Sequence, residues 1–456
     1  VDFYSLQLMF LLFKKHLLAS LNLMKKKIVY VGLSADILHE GHINILKIAS
    51  KLGDVTVGLL TDEAIASYKN IPHLDFRQRL IVLRNIRYVN KVIPQKTLDY
   101  VDNLKILKPD YVVHGDDWKK GIQKYTRARV IKTLKIWSGK LIEPKYTKNV
   151  SSTIIKNKFL EIASSPQNRI SRLKRLMDSK SIVKILESHN SLTGLIIENL
   201  KIKKKNNLLE FDGMWSSSLT DSATKGKPDN SSLDFSSRIS SLNDMMDATT
   251  KPLVFDADNG GQLEHLPFLI RSLERSGVSA IIMEDKVGLK KNSLFKDQEN
   301  TKQDKPKLFS KKIKQICKSR TSDDFLVIAR IESFIVGKGL NDALKRAEIY
   351  SKAGADAILI HSKEKTTNEI FSFARKFKKS KNFIPLVSVP STYSKVYEKD
   401  LIKNGFKLVI YANQLLRAAY PAMNLVATKI LENGRSFEIE NKIIPIKEII
   451  NLIQND

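Results

Sequence analysis

Residues 255–293 read FDADNGGQLEHLPFLIRSLERSGVSAIIMEDKVGLKKNS. An apolar strand closes on Asp256 and Asp258, a glycine turn and an amphipathic helix follow, and a second apolar strand closes on Glu284 and Asp285. Strand, helix and strand in this rhythm predict parallel strands joined by a crossover, whose C-terminal ends face the same way. Asp256, Asp258 and Glu284 then converge on one mouth. Three hard oxygen donors that tolerate several waters suit Mg²⁺. Helix capping or loop solubility accounts for a single such acid, but less readily for acids at two consecutive strand ends.

The runs DADNGG and EDKVGLKKNS, with ARIESF at 329–334 and LIHSK at 359–363, resemble the phosphoenolpyruvate mutases of the isocitrate lyase superfamily, from about Arg172 onward. The resemblance implies a (β/α)8 barrel that isomerises phosphoenolpyruvate and phosphonopyruvate with Mg²⁺ held by Asp256, Asp258 and Glu284. In that family a gating loop follows the EDK strand end, and its Lys-x-Asn-Ser signature falls on Lys290, Lys291, Asn292 and Ser293. Lyases of the superfamily carry a loop cysteine, and phosphonopyruvate hydrolases replace the Asn. Here the Asn is present and the only cysteine is Cys317.

Carried over residue by residue, the resemblance places pyruvate binding on Trp215, Ser217, Ser218 and Leu219, and catalytic roles on Asp229, Lys290, Asn292, Arg330 and His361. Two of these follow independently from residue type and place. Arg330, ending an apolar run, can bind carboxylate or phosphoryl oxygen bidentately. His361 ends another, and a histidine at the C-terminal end of a barrel strand reads as catalytic. For Trp215, plain core packing stands beside ligand contact.

The second half is read as two helical patterns at Ile170–Met177 and Ile182–Leu186, then a strand at Thr193–Ile197. Later strands are expected at 325–330, 357–361, 386–389 and 407–411, a count compatible with eight units. Residues 295–324 read as gate plus exposed helix. An amphipathic helix at 443–453 is expected to pack on the barrel or a neighbouring subunit.

Ahead of this barrel, strand and helix alternate from Lys27 to about Lys156, which predicts a doubly wound domain. Its first strand-to-helix turn reads Asp36-Ile-Leu-His39-Glu-Gly41-His42. A helix N-terminus offers N–H groups and positive dipole to phosphate oxygens. Gly41 allows close backbone approach, and His39 and His42, three apart, share one side of the opening turn. The DxxHxGH spacing resembles the HxGH nucleotidyltransferases, in particular glycerol-3-phosphate and phosphoethanolamine cytidylyltransferases. That implies catalysis by His39 and His42, and nucleotide binding by Asp36, Gly41, Lys69, Arg79, Asp117, Ser151, Ser152 and Thr153. The family's RTxGIST run departs here, with Tyr146 for Arg and Asn149 for Gly, which leaves acceptor and base open, CTP or ATP.

The fold class expected is therefore α/β: an N-terminal doubly wound, Rossmann-like nucleotidyltransferase domain plus a C-terminal (β/α)8 barrel. Boundaries are expected at 1–23 for a disordered or mis-called extension, 24–157 for the first domain, 158–171 for a linker and 172–456 for the barrel. At 456 residues the chain can hold both cores. The apolar run Leu6–Phe13 is too short to span a bilayer. One cysteine excludes a disulfide framework and points to a reducing, cytoplasmic setting. The net charge of +29 raises nucleic acid as a partner, but the lysines are spread over nearly every element instead of forming one stripe. The expected partners are phosphoenolpyruvate or phosphonopyruvate, CTP and a phosphonate acceptor, with no nucleic acid and no membrane span, in a homo-oligomer, dimer or tetramer. The rival readings are a hydrolase or C–C lyase barrel with an adenylyltransferase domain, and a non-catalytic basic binding protein for nucleic acid or phosphosugars.

Overall fold

The computed structural model describes residues 26–68, 71–119, 123–145, 163–204, 207–288, 290–293 and 302–452. The chain divides at Lys156/Asn157 into two compact units. The extension 1–23, Lys69, Tyr146, Asn149, Ser151, Ser152 and Thr153 lie outside the described residues.

The first unit is a parallel five-stranded sheet of β1 (Ile28–Leu33), β2 (Asp54–Leu60), β3 (Lys91–Gln95), β4 (Tyr111–Val113) and β5 (Lys140–Ile142). Its order is β3-β2-β1-β4-β5. Successive strand side chains point to opposite faces. Val29, Val31 and Leu33 therefore join one apolar cluster, while Tyr30 joins another with Val112 and Trp118. Helices cover both, as a doubly wound sheet requires. Strand order reverses between β1 and β4, and ligands of such sheets bind in that crevice.

The second unit closes into a barrel of eight parallel strands: β6 (Val183–Glu187), β9 (Gly213–Ser216), β10 (Leu253–Asp256), β11 (Ala280–Glu284), β12 (Leu326–Ile331), β13 (Ala357–Ile360), β14 (Leu386–Ser388) and β15 (Phe406–Tyr411). A small antiparallel hairpin, β7 (Ile202–Lys204) with β8 (Asn207–Leu209), stands between β6 and β9 in the chain. Asp256 pairs with Ile282, and Glu284 with Arg330, so the polar strand ends stand level. The outward faces of β10 and β11 bury Phe255, Ile281 and Met283 against surrounding helices.

Several expectations need correction. Ile182–Leu186, read as helix, is mostly β6, because a five-residue apolar run cannot display a helical period. Thr193–Ile197, read as a strand, lies in a helix from Ser191 to Asn199 that Asn190 caps. The segment read as a linker at 158–171 runs into a helix at Pro166–Ser179, whose Arg169, Ile170 and Leu173 are buried in the second unit. The helix at Pro306–Ser319 is not merely exposed, since it buries Phe309, Ile313 and Ile316. The terminal helix is shorter, Ile446–Leu452, and has no buried residue in this chain.

Candidate active sites

At the barrel mouth the turn Lys290–Ser293 reaches over the strand ends. The Lys290 ammonium meets Asp258 Oδ1 at 2.5 Å, Asp229 Oδ1 at 3.1 Å and Asp256 Oδ2 at 3.6 Å. It also donates to the Ser218 hydroxyl. Asn292 Nδ2 donates to Asp229 Oδ2 at 2.9 Å. Ser218 contributes its backbone N–H and hydroxyl to Asp256 Oδ2, at 3.3 and 2.9 Å. The structure thus brings Asp229, Asp256, Asp258, Ser218, Lys290 and Asn292 into one cluster.

A cavity of about 70 Å³ lies beside this cluster, between Trp215, Ser217, Leu219, Asn292, Arg330 and His361. Trp215 Nε1 is buried there without an acceptor, a donor left for a ligand. Across the cavity, Arg330 Nε bonds Glu332 Oε1 at 2.6 Å, and His361 Nδ1 stands 2.9 Å from both Arg330 Nη2 and Glu332 Oε1.

Burial opposes ionisation throughout this site, and the neighbours decide the outcome. For Asp256, Lys290, Arg238 and Arg330 outweigh burial and hold the carboxyl below the usual carboxylate range. For Glu332, the Arg330 charge and a hydrogen bond with His361 do the same. Glu284 is pushed up to about 7 by burial, despite Arg330 and Lys286 beside it. Burial and the Arg330 charge both lower His361, so the neutral imidazole is favoured.

Among the described residues, no three His, Cys, Asp or Glu groups form a ready-made metal cage. Glu284 lies 3.3 Å from Arg330 Nη2 and 3.8 Å from the Lys286 ammonium. Asp258 Oδ1 is nevertheless buried, accepts no hydrogen bond and faces a cation. Hard carboxylate oxygens in that state fit Mg²⁺, which keeps several waters.

Sequence reasoning gave no role to Glu332, Lys286 or Arg238, and named Ser293 only as part of the loop signature. Glu332 is fully buried and joins Arg330, His361, Ser293 and Lys286. Its signal was present: Arg330 and Glu332, two apart around a strand end, fall on one face. Arg238 braces two strand ends through Asp256 O (2.5 Å) and Ser216 O (3.3 Å), with Asp221 on its Nε. No sequence pattern marks it.

In the first unit, His39 occupies the N-cap of the helix Glu40–Ser50. His39 Nδ1 accepts from Gly41 N at 3.1 Å, and His42 Nδ1 accepts from His39 N at 3.4 Å. An accepting Nδ1 carries no proton, so each neutral ring bears its proton on Nε2. Burial lowers His39, which favours that neutral form. The two rings lie 4.1 Å apart and line a cavity of about 680 Å³ with Gly41, His114 and Asp117. The His114 ring stacks on Trp118 at 3.9 Å.

Asp36 and Arg79 are placed differently from Asp117, which is half exposed. Asp36 Oδ1 accepts from the backbone of His73 (2.7 Å) and Leu74 (3.1 Å). Arg79 is 1% exposed, and its donors go to Leu74 O, Ser34 O, Leu60 O and Asp62 Oδ1. Both side chains, as placed, tie loops around the crevice.

A family model described as phosphoenolpyruvate phosphomutase matches residues 173–431, and one described as cytidylyltransferase-like matches residues 30–158. The phosphoenolpyruvate phosphomutase of Tetrahymena pyriformis is 36% identical over 296 residues, 64% of this chain and 93% of that protein. A crystal structure of phosphonopyruvate hydrolase in complex with oxalate and Mg²⁺ aligns with TM-score 0.55 and 32% identity, over 62% of this chain and 94% of that one. The glycerol-3-phosphate cytidylyltransferase of Bacillus subtilis (strain 168) is 38% identical over 100 residues, 21% of this chain and 74% of that protein.

Proposed function

Because the chain belongs, through residues 173–431, to the phosphoenolpyruvate phosphomutase family and carries a cytidylyltransferase-like domain ahead of it, we propose that it is a two-site enzyme of phosphonate biosynthesis. The barrel interconverts phosphoenolpyruvate and phosphonopyruvate. The bond from phosphorus to the enol oxygen breaks, one from phosphorus to carbon 3 forms, and nothing is gained or lost. Such loose phosphoryl transfer needs positioning and charge stabilisation above all.

The observation that carries this reading is the meeting of Lys290 and Asn292 with Asp229, opposite the Arg330–His361 pair. Arg330, His361 and Asn292 would hold the migrating phosphoryl group while the turn excludes water. Trp215 Nε1 and the residues Ser217–Leu219 would hold the carboxylate. Mg²⁺ bound by Asp256 with Asp258 and Glu284, largely through water, would supply countercharge to the pyruvate enolate.

The first domain would transfer CMP from CTP to a phosphonate made downstream, releasing pyrophosphate. His39 and His42 would donate from Nε2 to charge developing at the α-phosphorus. A cytoplasmic homo-oligomer is the expected form.

Phosphorus NMR on the full chain with phosphonopyruvate and Mg²⁺, without nucleotide, tests the barrel. Conversion to phosphoenolpyruvate is the expected result. Release of inorganic phosphate would make it a hydrolase, and an unchanged spectrum would remove the mutase reading. CTP and ATP offered with candidate phosphonates then test the first domain by pyrophosphate release.

A further inference from the structure

The catalytic reading needs Lys290 and Asn292 held over the mouth, yet no residue of the turn 290–293 belongs to the apolar core. What holds it is polar. Lys286, two residues past the end of β11 and 5% exposed, donates to the Lys291 carbonyl at 2.9 Å and to Ser293 Oγ at 2.7 Å. Its remaining charge faces Glu332 at 3.3 Å and Glu284 at 3.8 Å. Two of its three donors are thus spent on the turn, and the two carboxylates balance its charge.

Ser293 is saturated as well. Its hydroxyl donates to Glu332 Oε2 at 2.6 Å and accepts from Lys286 and from Arg330 Nη2 at 3.0 Å. A hydroxyl has one proton and two lone pairs, so its orientation is fixed. The Lys291 carbonyl belongs to the peptide that links Lys291 to Asn292. Pinning that peptide fixes the backbone from which the Asn292 side chain leaves toward Asp229, and restrains Lys290, one residue earlier in the same short turn.

We propose that Lys286 is the positioning residue that pins the Lys290–Ser293 turn through the Lys291 carbonyl and Ser293 hydroxyl, and thereby sets whether phosphonopyruvate is isomerised or hydrolysed. This rests on the mutase reading. When the turn loosens, water reaches the phosphoryl group. The phosphorus–carbon 3 bond breaks, the water oxygen joins phosphorus, and a proton returns to carbon 3, giving inorganic phosphate and pyruvate.

The experiment compares wild type, Lys286→Met and Ser293→Ala as full chains with Mg²⁺, reading phosphoenolpyruvate and phosphate in one phosphorus spectrum. Met keeps the length of the Lys stem without its donors. In Lys286→Met the phosphate share should rise at least tenfold, with kcat for isomerisation falling more than KM rises. Ser293→Ala should shift the partition in the same direction, and the double variant should show less than the product of the two effects, because both remove one tie. An unchanged partition in either folded variant overturns the proposal, since loss of a purely structural contact lowers rate without redirecting product. Wild type releasing only phosphate, or nothing, would remove the mutase reading itself and is visible in the same series.

Discussion

Glu143 shows how one side chain can be both support and pH-sensitive element. It receives Arg127 in a bidentate pair at 2.7 and 2.9 Å and the Trp118 indole at 2.7 Å. The Arg127 hydrogen bond leads in pulling its carboxyl down to about 2, against burial. A depressed folded-state value contributes stability above the unfolded carboxylate value, near 4.5, and that stability is lost as pH falls toward 2. Solvent screening at the partly open Arg127 keeps the worth of the pair to about 0.5–1 kcal/mol. Thermal unfolding of Glu143→Gln should therefore start lower at pH 7 but fall less than wild type between pH 5 and pH 3, and parallel pH profiles would contradict the account. Trp118 carries the stacked His114, so the same substitution should loosen one wall of the cavity that His39 and His42 also line. At this scale sequence reasoning named chemistry better than support. Strand ends expose catalytic types by position, whereas Glu332 and Arg238 act through contacts that only the closed barrel creates.

At the level of elements, the legible parts were those with a clear period or a strand-end signature. The stretch 255–293 placed β10, β11 and the helix between them, while the count of eight strands came out right only because the helix read at Ile182–Leu186 and the strand read at Thr193–Ile197 offset each other. The failures at Ile182–Leu186 and Thr193–Ile197 share a cause: short apolar stretches are ambiguous, and local capping decides. Asn190 Oδ1 accepts from Thr193 N at 2.9 Å, while Thr193 Oγ1 accepts from Asn190 N at 3.2 Å. That reciprocal box starts a helix where propensity alone suggests a strand. Removing it should be measurable. Asn190→Ala is expected to cost about 1 kcal/mol and to lower the melting temperature by a few degrees, with the barrel intact. No change in melting would mean tertiary packing alone sets this helix.

The whole molecule joins two parallel-stranded units, each with its own apolar clusters and its own polar strand-end crevice. On the proposed reading the chemistry of one site does not draw on the other: the barrel would use a cation, a phosphoryl clamp and dryness, while the first unit would use a helix N-terminus and two imidazole donors. On that reading phosphonopyruvate would be processed before serving as a nucleotidyl acceptor, so the proposal requires no direct handover. Asp256→Ala in the full chain should then lower phosphonopyruvate conversion by about 10³-fold, through lost charge at the mouth, while CTP turnover stays within about twofold of wild type. His42→Ala should do the reverse, losing about 10²–10³-fold in nucleotidyl transfer because one donor to the developing charge is gone. Both rates are read on the same preparations, by phosphorus NMR and by pyrophosphate release. If either substitution silenced both activities in a folded protein, the two units would form one coupled catalyst, and the fusion would have to be explained by communication between sites.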